Sequence, residues 1–187
     1  MEIQNKEPHR PNPDAIGVKV KMKETQGGEL HRITSTAIIR KDGKYLILKR
    51  SLNKKAFPGR WTLPGGGLTV EDYINTPKTT ADAWYFSASK ALKREVMEEA
   101  GIEVDKFNYL LDLTFIRSDG VPVITLSYYG DWKSGDVKIN EESMDYKWVS
   151  AEEAKEYDLI EGLLEEIEIA DRILRGEDPS KGEIKLK

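Results

Sequence analysis

No cysteine occurs anywhere in the chain. That excludes a disulfide framework, a thiolate-held metal and a cysteine nucleophile, and it fits a reducing compartment. Histidine is nearly as scarce: His9 and His31 stand apart from each other and from the acidic clusters, and both read as ordinary surface or strand positions. Long apolar runs are missing too. Nothing approaches the roughly 18 consecutive apolar residues of a membrane-spanning helix, and the opening MEIQNKEPHRPNPD is polar and proline-rich with no signal-peptide core. Nor is there an excess of positive charge. The formal net charge is -4 and the pI is near 5.4, so the basic field that non-specific nucleic-acid binding requires is absent. The expectation is a cytoplasmic protein that partners neither nucleic acid nor membrane.

What is present suffices for one domain. With 187 residues, 39% of them hydrophobic, the chain can bury a sizeable core. Residues 1–14 read as a flexible tail, 15–176 as a single domain and 177–187 as a second, charged tail. GVKVKMKE at 17–24 alternates like a half-exposed strand. ITSTAIIR at 33–40 and KYLILKR at 44–50 form a hairpin across KDG, and FNYLLDLTFIR at 107–117 forms a second with VPVITLSYYGDW at 121–132. YKWVS at 146–150 is a short strand leading into AEEAKEY, and a last helix from about Leu159 to Leu174 carries apolar residues at helical spacing. The order of strands, helix, strands and helices indicates an α+β sandwich around one mixed sheet.

The chemistry concentrates in KREVMEEAGI, residues 93–102. The spacing predicts a helix of about 13 residues with Ser87 as N-cap and Gly101 as C-terminal cap. At about 100° per residue from Leu92, the residues Val96, Ala88 and Ala100 mark a buried stripe, and Glu99 falls inside it near -20°. Glu95 near about -60° and Glu98 near about -120° continue the arc toward solvent, while Lys90, Lys93 and Met97 face away. Carboxylates beside an apolar face cost several kcal/mol each unless paired. The same face has no matching set of basic residues, and hard divalent cations take oxygen ligands, so Mg²⁺ or Mn²⁺ resolves the cost. A solvated acidic helix face is the bland alternative.

The run Arg94-Glu95-Val96-Met97-Glu98-Glu99-Ala100-Gly101-Ile102 resembles R-E-U-x-E-E-x-G-U, the second half of the Nudix box, where U is a bulky aliphatic residue. WTLPGGG at 61–67 resembles the W-x-L-P-G-G stretch that leads into it, and the likeness spans residues 32–170. One position departs: the full box, G-x5-E-x7-R-E-U-x-E-E-x-G-U, asks for a glutamate where Phe86 stands. Counting forward from Gly65 or Gly66 reaches Glu71 or Asp72, with 22 or 21 residues before Arg94 instead of seven. An insertion of about 14 residues, close to 72–86, accounts for this.

The resemblance implies a Nudix-like α/β/α sandwich and hydrolysis of a nucleoside diphosphate linked to another group, by water that divalent ions activate. It implies Glu95, Glu98 and Glu99 as metal ligands, the Gly65 carbonyl as a further ligand, and Arg94 as the residue orienting the glutamates. Glu142, with Glu141 beside it, fits an additional glutamate contributed by a loop before the last core strand; two solvated loop acids is the other reading. KRSLNKKAFPGR at 49–60 supplies cations, among which Arg50 is the candidate phosphate contact and the lysines read as solvated. Trp84, Tyr85 and Phe86 offer aromatic surface: Trp84 is a candidate to stack on a substrate base, or these rings pack the helix start onto the sheet or a dimer contact. Homodimers are common in the family.

Rival activities divide on composition. A Nudix-like isoprenoid diphosphate isomerase relies on cysteine, and an RNA-directed decapping enzyme on a basic surface. A ligand-sensing Nudix domain usually loses part of the glutamate set and is fused to a DNA-binding unit. Subgroup markers about 15 to 18 positions beyond the box, a proline for ADP-ribose or a tyrosine for dinucleoside polyphosphates, fall at Arg117–Gly120, which contains neither. The substrate expected is a small nucleoside diphosphate derivative: a nucleoside triphosphate, a nucleotide sugar or an ADP-ribose-like molecule.

Overall fold

A computed structural model describes residues 30–177 of the chain. The strand expected at 17–24, the N-terminal tail and nearly all of the C-terminal tail lie outside these residues. Strands β1 (Arg32–Lys41) and β2 (Lys44–Arg50) form the first hairpin. Its turn residues Asp42 and Gly43 both have positive φ, 51° and 73°, the twist that a tight two-residue hairpin needs. β3 (Trp61–Thr62) and β4 (Gly65–Gly67) flank the proline of the glycine turn; α1 (Glu71–Ile74) and α2 (Ser87–Ala100) follow. β5 (Glu103–Val104), the hairpin β6 (Asn108–Ile116) with β7 (Pro122–Ser134), β8 (Ser143–Val149), a 3-10 turn at Glu153–Glu156 and α3 (Leu163–Leu174) complete the order.

The sheet is mixed. β1 runs parallel to β7, from Arg32 opposite Val123 to Arg40 opposite Asp131, and antiparallel to β2 and β4. β2 carries β3 and β8, and β7 carries β5 and β6. Both faces are covered, which is why the middles of β1 (residues 37–39) and β2 (residues 45–48) are unbroken buried apolar runs. Ala37, Ile39, Leu46 and Leu48 pack under α2 with Leu92, Val96 and Ala100. Ile38, Tyr45 and Ile47 face α3 with Leu163, Ile167 and Ala170. This is the expected α/β/α sandwich, and the two-residue strand period sorts side chains between its layers.

Three expected boundaries are corrected. α2 is capped by Phe86, in the left-handed region at φ 62°, and not by Ser87. The Ser87 hydroxyl donates back to the Trp84 carbonyl at 3.3 Å, so it serves the preceding turn instead of the helix N–H groups. α3 begins at Leu163, not Leu159, because Leu159 forms a β-bridge with Trp61 and the Ile160 N–H donates to the Trp61 carbonyl at 2.9 Å. β8 starts at Ser143, three residues ahead of the expected strand, through its pairing with β2. Among the described residues no helix is long and apolar enough to cross a membrane.

Candidate active site

β4 brings the glycine turn against α2. The register Ser35 opposite Gly66 and Thr36 opposite Gly65 stacks this short strand on β1, directly below the carboxylates of the helix. Space requires glycine at 65, where a Cβ would meet backbone, whereas at 66 it would meet the movable end of the Glu95 side chain. A Cβ on Gly65 would lie 2.2 Å from the Ser35 carbonyl oxygen, and a Cβ on Gly66 would fall 2.3–2.5 Å from the carboxylate atoms of Glu95. The helix acids therefore press onto bare backbone.

The expected arc is realised in graded burial. Glu99 is buried at 9% exposure, Glu95 is half-buried and Glu98 is exposed. One Glu99 carboxylate oxygen accepts the Gly65 N–H at 2.9 Å. Burial pushes the Glu99 carboxyl up to about 7; the Gly65 N–H opposes that rise, the negative charges of Glu95 and Glu142 add to it, and Lys54 opposes it. Glu95 is also raised, by burial first, with Arg94 pulling the other way and Glu98 and Glu142 reinforcing the rise.

Arg94 ties the acids together. Its Nε and a terminal nitrogen reach both oxygens of Asp72, at 2.6 and 3.1 Å, and its other terminal nitrogen contacts Glu95 and Glu98, each at 3.0 Å. It also donates to the Gly67 carbonyl at 3.3 Å. This bidentate pair raises the Arg94 pKa and keeps the guanidinium charged. Burial alone would raise Asp72, whose side chain is 5% exposed, but Arg94 and the Thr69 N–H bring it below the usual carboxylate range. Of the two acids left open by the sequence, Asp72 makes this brace; Glu71 opens α1 beside it.

Other candidates fall as follows. Glu142 lies close enough to raise both Glu95 and Glu99, and its carboxylate pairs with Lys54 at 2.5 Å. The reading of the loop lysines as solvated is thus corrected for Lys54, which is half-buried against an acid that sequence distance had hidden. Arg50 places its Nε on the Ala56 carbonyl at 2.9 Å. Trp84 packs on Tyr73, ring centroids 5.4 Å apart, and its indole N–H donates to the Thr76 carbonyl at 2.9 Å, so it ties α1 to the entry of α2. Tyr85 and Phe86 are exposed, not packed on the sheet. Among the described residues no three acidic or histidine side chains are grouped to hold a metal ion; Asp72, Glu95 and Glu98 are turned onto Arg94, Glu99 onto the Gly65 N–H and Glu142 onto Lys54. The donor set is nonetheless all hard oxygen and includes a buried acid near neutrality, which together fit Mg²⁺ or Mn²⁺.

The family model described as the NUDIX domain matches residues 29–167. The chain belongs to the NUDIX family. Nucleoside triphosphatase NudI of Escherichia coli O81 (strain ED1a) is 33% identical over 132 residues, covering 65% of this chain and 84% of that protein. The MutT protein of Methanosarcina mazei Go1 superposes with a TM-score of 0.61 at 28% identity, over 79% of this chain and 97% of that one. The NUDIX domain of Shewanella oneidensis NrtR, solved with ADP ribose, gives a TM-score of 0.61 at 19% identity over 79% and 90%, a likeness of fold alone. This Nudix protein is a pyrophosphohydrolase.

Two outcomes follow from the geometry. Gly66→Ala should lower turnover on the best nucleotide substrate by about 100-fold, ~3 kcal/mol of barrier, while the melting temperature changes little; unchanged turnover would show that Glu95 need not lie on the turn. The raised Glu99 pKa sets a pH dependence. A carboxyl whose folded value exceeds its ordinary 4.5 contributes stability below that pH and loses it as pH rises through about 7. In chelator, urea unfolding should therefore show the wild type losing stability relative to Glu99→Gln across that window. Parallel pH profiles would contradict the burial of this charge.

Proposed function

We infer that this Nudix enzyme is a Mg²⁺- or Mn²⁺-dependent hydrolase of the diphosphate linkage in a small nucleotide, with a nucleoside triphosphate as the substrate. The observation that carries the reading is the graded set Glu99, Glu95 and Glu98 on α2, pressed against the bare backbone of Gly65 and Gly66. Similarity to the NudI triphosphatases favours a triphosphate over a nucleotide sugar.

Glu95, Glu98 and Glu99 would hold the metal, with the Gly65 carbonyl and Glu142 as further oxygen donors. A divalent ion bound there supplies neutralisation of phosphate charge and a more acidic water. The chain's own residues do the positioning. Arg94, fixed by Asp72, holds Glu95 and Glu98 at the mouth of the turn, and the Gly65 N–H fixes one oxygen of Glu99 behind them. Arg50 adds a cation for substrate phosphate beside the turn, and Trp84, through its ties to Tyr73 and Thr76, shapes the adjoining wall where a base would lie.

The test is a panel of nucleoside triphosphates, sugar nucleotides and dinucleotides with Mg²⁺, reading pyrophosphate and phosphate release. A triphosphate should be turned over best. Glu98→Gln and Glu99→Gln should each cut that rate on the order of 1,000-fold, ~4 kcal/mol, with the fold intact. Wild-type rates in both variants would refute the site, and tight nucleotide binding without turnover would identify a sensor instead.

A further inference from the structure

Five cations lie between Lys49 and Arg60, and the structure gives them different work. Lys49 stands over the Trp61 ring at 5.8 Å, Arg50 is bonded to the Ala56 carbonyl, Arg60 pairs with Asp158 at 2.9 Å, and Lys55 is exposed. Lys54 alone points into the acidic cluster. Its ammonium lies 2.5 Å from the Glu142 carboxylate, and its charge acts on Glu99.

The backbone keeps it there. The Ser51 N–H donates to the Glu142 carbonyl at 2.8 Å, the Lys54 N–H donates to the Ser51 carbonyl at 3.1 Å, and the Glu142 N–H is held by the Asn140 side-chain oxygen at 2.9 Å. The loop that follows β2 and the loop that precedes β8 are thus laced together directly beneath the ion pair. The lysine side chain is 28% exposed and the carboxylate 44%, so the ion pair alone contributes little, and the backbone bonds set where the two groups meet.

An ammonium on a four-carbon stem is a mobile point charge, able to change partners without moving the backbone. A divalent cation taking Glu142 would displace it, and a diphosphate arriving with that cation would offer anionic oxygens at the same place. We propose that Lys54 is a diphosphate-binding residue, kept on Glu142 as a counter-ion until substrate arrives and then passed from carboxylate to phosphate oxygen. This rests on the reading of Glu95, Glu98, Glu99 and Glu142 as a metal and diphosphate site. It makes Lys54 opposed in its effects: it competes with the metal and assists the anion.

Calorimetry on the full chain separates these effects, comparing wild type, Lys54→Met and Lys54→Arg, first with Mn²⁺ alone and then with imidodiphosphate at saturating Mn²⁺. Lys54→Met should bind Mn²⁺ alone about fivefold more tightly and imidodiphosphate about tenfold more weakly, while Lys54→Arg stays close to wild type. Unchanged affinities in Lys54→Met overturn the proposal. So does a parallel weakening of both ligands, which would mean only a disturbed loop. Opposed shifts in a protein that hydrolyses no triphosphate would refute the proposed substrate and leave Lys54 in its role; triphosphate hydrolysis without the shifts would do the reverse.

Discussion

The contact between the Glu99 carboxylate and the Gly65 N–H is the constraint around which this molecule is arranged. A carboxylate in the seam between a helix and a sheet is stable only if its surroundings replace the water it has lost. Here a single backbone N–H does part of that, and the neighbouring Glu95 and Glu142 work against it, so the group titrates near neutrality. Every nearby feature accommodates this unfavourable charge: glycines at 65 and 66 let the acids approach, Asp72 fixes Arg94, and Arg94 gathers Glu95 and Glu98.

The sheet explains why these parts meet. β1 is the common partner of β2, β4 and β7, so the register of one central strand sets the height of the glycine turn relative to α2. With Leu92, Val96 and Ala100 locked onto Ala37, Ile39, Leu46 and Leu48, the helix cannot roll to carry Glu99 into solvent without exposing that core. Stability of the fold and burial of Glu99 are coupled through the same helix face.

Much of this was legible in the sequence because it rests on local periodicity. The two hairpins followed from β-rich runs joined by short glycine-containing links at 41–43 and 118–120, and the fan from Glu99 to Glu98 followed from helical angles alone. What escaped depends on contacts between distant segments. Ser87 has the chemistry of an N-cap, yet its hydroxyl is spent on Trp84. The first turn expected of α3 is pulled into a bridge with Trp61. The choice between Glu71 and Asp72 was settled by which acid Arg94 can reach with two nitrogens. Lys54 had no distinguishing mark among the cations of its loop, since its partner Glu142 is far away along the chain and near only across the folded sheet.

The central claim is that the buried acids are a standing cost which a divalent cation relieves. It is tested most directly by melting the wild type and a Glu95→Gln/Glu99→Gln double variant, each in chelator and in Mg²⁺. The account predicts that in chelator the double variant melts a few degrees above the wild type, about 2–4 °C for each kcal/mol, and that Mg²⁺ raises the wild type alone. A wild type that ignores Mg²⁺ and melts above the double variant in chelator would contradict it.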